Sequence, residues 1–180
     1  MRGGEEMSQA VLISIRPEWC EKIISGEKTI EVRKTRPKMD TPFKCYIYRS
    51  VQGGVIGEFV CDQIFERIVR VGGSCEPPKY CICDWNMDCT PLDTLLADAC
   101  LTKDELEKYL DGGVGYGWHI SNLKIYDTPK ELIEFHTWKK CKSCNKSGYE
   151  STACIYDENC IIPAAITKAP QSWCYVEELP

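Results

Sequence analysis

The chain has 180 residues, 43% of them hydrophobic, which is enough to bury the core of one domain with room for an insertion. Its net charge of −5 argues against a protein that coats nucleic acid through a broad positive field, although a local basic cleft is compatible with it. No stretch approaches the roughly 18 apolar residues that a membrane span needs, and residues 1–10 lack an apolar signal region. We therefore expect an intracellular, cytoplasmic protein with no membrane association.

The thirteen cysteines are unusual for such a chain. Their odd number argues against a closed disulfide framework. In a reducing compartment, cysteines indicate metal sites, reactive thiols or core packing.

The first elements are a strand and a short helix. Residues 11–15 are predicted to form a buried strand, and Pro17 suits the first turn of a helix. Gly26 is predicted to end this helix in the left-handed conformation. The apolar stripe of the helix consists of Trp19, Cys20, Ile23 and Ile24.

A charged strand follows the helix. Ile30 and Val32 alternate with Glu31 and Arg33, so the aliphatic side chains should face a core and the charged ones the opposite side. Lys28 lies at the start of this strand. The three charged residues can hold a polar ligand, or they can pair with one another on the surface, where ion pairs are common and weak.

The spacing Gly-x-Lys-x-x-Glu-x-Arg over residues 26–33 resembles the signature of the ASCH domain family, which belongs to the PUA-like superfamily. Residues 13–17, 55–59 and 115–120 resemble the flanking strands of that family in order and spacing. The resemblance covers roughly residues 10–135 and resumes at 161–178. It implies an α+β fold, a PUA-like β pseudo-barrel with short flanking helices, as a single domain over 8–180. It also implies a cleft used for RNA or nucleotides.

The rest of the chain is predicted to alternate strands and short helices. Strands are expected at 43–48, 55–62, 64–71, 116–126 and in a last segment around 170–176. Helices are expected from Thr90-Pro91, after the capping box of Thr102 and Glu105, and at 130–133. The cysteine- and proline-containing stretch of about 74–91 is expected to be a loop insertion.

A second insertion, at 139–160, carries the strongest metal-like spacing. Cys141 and Cys144 form a Cys-x-x-Cys knuckle, and Cys154 and Cys160 could complete a tetrahedral site. The loop has too little apolar content for its own core, so a structural zinc would explain how it stays ordered. Unmetallated thiols are the alternative, and a redox role lacks a thioredoxin-like setting.

Three functions are compatible with these patterns. The first is a module that binds RNA or a modified nucleotide through the Lys/Glu/Arg cleft, with an aromatic side chain stacking on a base. The ligand-binding candidates are Arg16, Lys28, Glu31, Arg33, Tyr46, Trp118, His119, Ser172 and Trp173. The basic run of 34–38 adds a possible phosphate contact.

The second function is an enzyme, with Lys28 and Glu31 as the catalytic pair. Some members of the superfamily that the chain resembles are amidohydrolases acting on acetylated cytidine, and others have been proposed to cleave RNA. Lys28 matches the lysine of the amidohydrolase pattern, but Glu31 stands where that pattern has a threonine, and Thr29 is the nearest hydroxyl. The third function is a protein-interaction module that contacts a partner through the two cysteine-rich insertions.

Overall fold

The computed structural model describes residues 8–71, 79–83, 89–140 and 161–179. Its helices are α1 (Pro17–Ile24), α2 (Asp93–Asp98) and α3 (Lys103–Leu110), together with a 3-10 turn at Leu132–Glu134. Its strands are β1 (Gln9–Ile15), β2 (Ile30–Arg33), β3 (Phe43–Arg49), β4 (Val55–Cys61), β5 (Ile64–Val71), β6 (Lys79–Cys83), β7 (Cys89–Pro91), β8 (Gly115–His119), β9 (Ser121–Lys130), β10 (His136–Lys140), β11 (Ile161–Ala165) and β12 (Trp173–Glu177). Within these residues, no helix is both long and apolar enough to span a membrane.

The described strands form two five-stranded sheets and one two-stranded ribbon. The first sheet has the order β12-β1-β3-β4-β9, with β1 and β3 parallel, and the second has the order β2-β8-β5-β6-β7. Strands β10 and β11 form the antiparallel ribbon. The prediction of a mixed α+β fold is confirmed, with strands far outnumbering helices, and none of these described sheets closes on itself.

Three buried clusters hold the described sheets and helices together, and two of them position the charged strand. The larger one joins aliphatic and aromatic residues of the first sheet, such as Ile13 and Phe59, to Trp118 of β8 in the second sheet. The other packs Ile30 and Val32 of β2 against the leucines of α2 and α3. Strand β2 is therefore fixed on its aliphatic face, as the alternating sequence predicts.

The prediction of one continuous strand over 116–126 is wrong. The chain leaves the second sheet after His119 and enters the first sheet at Ser121, so β8 pairs with β2 and β5 whereas β9 pairs with β4. At the break, the backbone N–H of Ile120 donates to the carbonyl oxygen of Thr29 at 2.8 Å. An alternating pattern does not reveal such a change of sheet, because both halves remain extended.

The stretch of 74–91 is also not wholly a loop. Strands β6 and β7 pair within it. Pro91 belongs to β7, the last strand of its sheet, and lies opposite Cys81 of β6. An edge position tolerates a proline because no further strand needs its missing N–H. Helix α2 consequently begins at Asp93, after Pro91.

The helix predicted at 130–133 is reduced to the 3-10 turn. Strand β9 continues to Lys130, which pairs with Val55 of β4. Of the second cysteine insertion, predicted at 139–160, residues 139 and 140 belong to β10, and residues 141–160 lie outside the described residues.

Candidate functional site

The three charged residues of the motif are buried side by side. Lys28 is 3% exposed, Glu31 7% and Arg33 8%. Because β2 turns its aliphatic side chains towards α2 and α3, the side chains of Glu31 and Arg33 fall on its other face. The interpretation as a surface ion pair is therefore wrong.

Glu31 bridges the two cations. Its Oε2 lies 3.3 Å from Lys28 Nζ, and its Oε1 lies 3.0 Å from Arg33 Nη2. We call these three residues the charged triad. The triad carries a net charge of +1, and each carboxylate oxygen serves one cation.

Backbone oxygens of distant segments complete the triad. Lys28 Nζ donates to the carbonyl oxygen of Ala99 at 2.7 Å, and Ala99 is the residue that ends α2. The negative end of a helix dipole favours a cation there. Arg33 Nη2 donates to the carbonyl oxygen of Ser14 at 2.6 Å, which ties β2 to β1.

One donor of the triad has no protein partner in the described structure. Arg33 Nη1 reaches Ser172 Oγ at 3.4 Å, but Arg33 Nε is buried without an acceptor. An unsatisfied buried donor costs about 1–3 kcal/mol. The guanidinium therefore retains hydrogen-bonding capacity that the fold does not use.

The triad lines a cleft of about 880 Å³. Helix α1 contributes Trp19, helix α3 contributes Lys108 and Tyr109, and the segment before β12 contributes Ser172. The full lining is Ser14, Arg16, Trp19, Lys28, Glu31, Val32, Arg33, Tyr48, Ser50, Val51, Leu101, Glu105, Lys108, Tyr109, Ala169, Pro170, Gln171 and Ser172. A volume of this size accommodates a small organic ligand.

Charge and aromatic surface are both concentrated in the cleft. Four cations, Arg16, Lys28, Arg33 and Lys108, face two carboxylates, so the lining is positive although the chain is acidic. The Lys28 ammonium lies 5.1 Å from the centroid of the Trp19 ring. Burial raises the pKa of the Tyr109 phenol above its usual value.

Five of the predicted ligand-binding residues line the cleft, and four do not. Arg16, Lys28, Glu31, Arg33 and Ser172 are brought together there. The remaining four are Tyr46, Trp118, His119 and Trp173.

These four side chains are engaged elsewhere. Tyr46 is fully buried, and its Oη accepts the backbone N–H of Leu179 at 2.8 Å. Trp118 is fully buried between the sheets, with its ring centroid 5.9 Å from that of Trp173. Trp173 Nε1 donates to Thr35 Oγ1 at 3.0 Å. The alternation that groups aromatic residues on one strand face does not distinguish a cleft wall from a core.

His119 forms a separate pair outside the cleft. Its Nδ1 lies 2.6 Å from Asp62 Oδ1, and this hydrogen bond lowers the pKa of the Asp62 carboxyl group. Both side chains are partly exposed. The pair therefore accounts for His119 without a ligand.

The lining residues that sequence reasoning missed include Trp19, Lys108 and Tyr109. Trp19 lies on the apolar stripe of α1, which predicts a core position, and Tyr109 lies beside the buried Leu110 of α3. The sequence signal for a site on α3 is the adjacent pair of Lys108 and Tyr109 near the end of this short helix. Nothing local, however, places α3 against β2.

The described residues contain no group of three or more His, Cys, Asp or Glu side chains that could hold a metal ion. The four predicted zinc ligands, Cys141, Cys144, Cys154 and Cys160, lie outside those residues. The five cysteines recorded as free thiols within them are Cys20, Cys45, Cys61, Cys100 and Cys174.

Fold and site together define a small α+β module with a positively lined cleft over a buried charged triad. The family model of the ASCH domain matches residues 13–76, a segment that contains the whole triad. This match confirms the resemblance drawn from the motif and from its flanks at 13–17 and 55–59. No curated protein matches the sequence.

Solved structures of an ASCH protein from Zymomonas mobilis are similar to the chain. A Ser-to-Ala mutant is 17% identical with a TM-score of 0.55, covering 94% of this chain and 89% of that chain. The ASCH structure itself is 20% identical, with a TM-score of 0.49 and coverage of 68% and 73%. A Tyr-to-Phe mutant is 19% identical, with a TM-score of 0.49 and coverage of 68% and 76%. At such identities, the first similarity concerns the fold alone.

Proposed function

We propose that the cleft binds RNA or a nucleotide, with one nucleotide or modified base as its footprint. The observation that carries this proposal is the charged triad at the floor of the cleft. Buried ion pairs contribute little to stability, because desolvation offsets their attraction. A cluster of buried ionisable groups that lines a large cleft is therefore better explained by ligand recognition than by stability.

The triad supplies complementary hydrogen-bonding groups. Lys28 and Arg33 can donate to a phosphate oxygen or to an acceptor edge of a base, and Arg33 Nε is the donor that the protein leaves unused. Glu31 can accept from a base amino group. In this arrangement, Glu31 also holds both cations in place.

The walls suit a planar ring. Trp19 and Tyr109 line the cleft from α1 and α3, and aromatic side chains are the usual stacking partners of unpaired bases. The net charge of −5 disfavours a long track of phosphate contacts over the whole surface. A local site is therefore the better fit.

We interpret the two five-stranded sheets as a PUA-like pseudo-barrel. The support is that side chains of both sheets share one buried cluster, in which Trp118 packs edge-on to Phe43 at 5.9 Å between ring centroids. This interpretation places the triad at one end of the shared core.

The test is a binding screen in which the melting temperature of the protein is measured with nucleosides, nucleotides, modified nucleosides and short RNAs. A ligand of the cleft should stabilise the wild type and leave Arg33→Ala unshifted. Arg16→Ala and Lys108→Ala should reduce the shift without unfolding the protein, because these cations line the rim. Lys103→Ala is the matched control, since it removes a lysine of α3 that does not line the cleft. If no nucleic-acid component shifts the wild type, the proposal is wrong.

A second candidate is hydrolysis of the bound nucleoside or RNA. The supporting observation is the 3.3 Å contact between Lys28 Nζ and Glu31 Oε2 inside the cleft, a geometry compatible with proton transfer. Analysis of the ligand after incubation distinguishes the two functions. A binding module returns it unchanged, whereas an enzyme returns product at a rate that falls in Glu31→Gln.

A further inference from the structure

A second pocket begins where the charged strand ends. It has a volume of about 480 Å³ and is formed by residues 34–40 together with Tyr116 of β8. We call residues 34–40 the basic loop. Three of its seven residues, Lys34, Arg36 and Lys38, are cations, and one, Asp40, is an anion. This local excess of positive charge stands out in a chain of net charge −5.

The basic loop adjoins the cleft at Tyr109. Lys34 Nζ lies 5.4 Å from the centroid of the Tyr109 ring, and Tyr109 lines the cleft. Lys34 also immediately follows Arg33, the last residue of β2. A chain-like ligand that leaves the cleft past Tyr109 therefore meets Lys34 first.

The basic loop is held in place by hydrogen bonds to two side chains of β12. Trp173 Nε1 donates to Thr35 Oγ1 at 3.0 Å, and Tyr175 Oη accepts the backbone N–H of Lys38 at 2.7 Å. Pro37 is buried. A loop held at three points presents its charges in a fixed arrangement, which lowers the entropy cost of binding.

Two of the loop's cations remain available to a ligand. Lys34 and Lys38 are exposed, and within the part of the chain that the structure describes neither has a carboxylate within ion-pair distance. Elsewhere the structure pairs exposed lysines, as Lys44 with Glu178 at 2.8 Å. Lysine ammonium groups without a carboxylate partner among the described residues are suited to phosphate.

We propose that the basic loop binds the phosphates that flank the nucleotide in the cleft, so that the ligand is a single-stranded RNA oligonucleotide. The inference rests on the proposed function of the cleft and specifies its substrate class. A single strand is required because a base must leave its stack to enter the cleft between Trp19 and Tyr109. Lys34 and Lys38 then contribute affinity through the flanking phosphates, and Arg33 contacts the nucleotide held in the cleft.

The experiment compares a mononucleotide with a tetranucleotide of the same base at several salt concentrations. For the wild type, we expect the tetranucleotide to bind about 10-fold more tightly, with a steeper dependence on salt. The double variant Lys34→Ala/Lys38→Ala should bind both ligands with nearly equal affinity. Its slope of log K against log salt should be shallower by about 1.4, since each contact with a single-strand phosphate contributes about 0.7.

The control removes the same charge elsewhere. Lys103→Ala/Lys124→Ala neutralises two exposed lysines that line neither pocket and should retain the tetranucleotide affinity of the wild type. If the wild type binds the mononucleotide as tightly as the tetranucleotide, the basic loop has no role, while the cleft proposal stands. The same conclusion follows if the control loses as much affinity as the loop variant. If neither ligand binds, both proposals are wrong.

Discussion

The Glu31 carboxylate lies between two buried cations, so its removal should cost more than the loss of either contact. In Glu31→Ala, Lys28 and Arg33 stay buried within reach of each other without an intervening negative charge. Breaking a buried ion pair by deleting one partner typically costs about 3–5 kcal/mol. We expect the free energy of unfolding to fall by about 3 kcal/mol, measured by urea denaturation.

A triple variant separates stability from function in the same network. Lys28→Met/Glu31→Leu/Arg33→Met replaces the charges with apolar groups of similar length, which is often neutral for stability. It should recover most of the stability that Glu31→Ala loses and bind no nucleotide. A Glu31→Ala protein as stable as the wild type would show that water reaches the triad.

The sequence predicts the composition of the triad but not its burial. Alternation separates Ile30 and Val32 from Glu31 and Arg33, as the structure does. The groups that enclose the charges are Ala99 and Ser172, which follow Lys28 and Arg33 by 71 and 139 positions. Local pattern carries no information about partners at such separations.

At the scale of elements, helix α3 is a cleft wall that begins at a capping box. Thr102 Oγ1 accepts the Glu105 N–H at 3.2 Å, and Glu105 Oε2 accepts the Thr102 N–H at 2.8 Å. Loss of such a cap costs about 1 kcal/mol. Thr102→Ala should therefore destabilise α3, and nucleotide affinity should fall with it because α3 carries Lys108 and Tyr109. Thr102→Ser, which keeps the acceptor, is the matched control for hydrogen exchange and titration calorimetry.

The same cap gives α3 a defined pH dependence. The hydrogen bonds from the Thr102 backbone and hydroxyl lower the pKa of Glu105 below its unfolded value of 4.5. Its contribution is complete above that value and is lost as the pH falls through the lower folded value. Exchange protection of α3 should consequently decrease below about pH 4.5 in the wild type and change less in Glu105→Gln. Equal pH profiles for the two proteins would contradict this role.

Elements with their own local signals are predicted best from the sequence. The capping box of α3, the proline at the start of α1 and the left-handed Gly26, with a φ of 78°, all lie where their residues predict. The failures include 116–126 and Pro91, where a continuous pattern crosses a change of sheet or an edge strand. The sheet that such a segment joins depends on the strands with which it pairs, and those strands are distant in the sequence.

At the scale of the whole molecule, three of the described cysteines are buried, whereas the four predicted zinc ligands lie outside the described residues. Burial raises the pKa of Cys20 to about 11 and that of Cys61 to about 12, and it raises the pKa of Cys45 well above its usual value. Thiols of this kind are nearly all protonated at neutral pH, and the thiolate is the reactive form. These three cysteines belong to the core shared by the two sheets.

Alkylation of the native protein therefore tests the predicted zinc site against a fixed internal reference. We expect one zinc per chain by elemental analysis, with Cys141, Cys144, Cys154 and Cys160 resisting iodoacetamide until a chelator removes the metal. Cys20, Cys45 and Cys61 should resist alkylation with and without chelator and react only after denaturation.

Cys141→Ser should lose the metal and leave the protection of these three buried thiols unchanged, because the insertion is predicted to lie outside their core. Four cysteines that react at once in metal-quantified protein would show that the insertion binds no zinc. The cleft would then remain as the functional region that the structure supports.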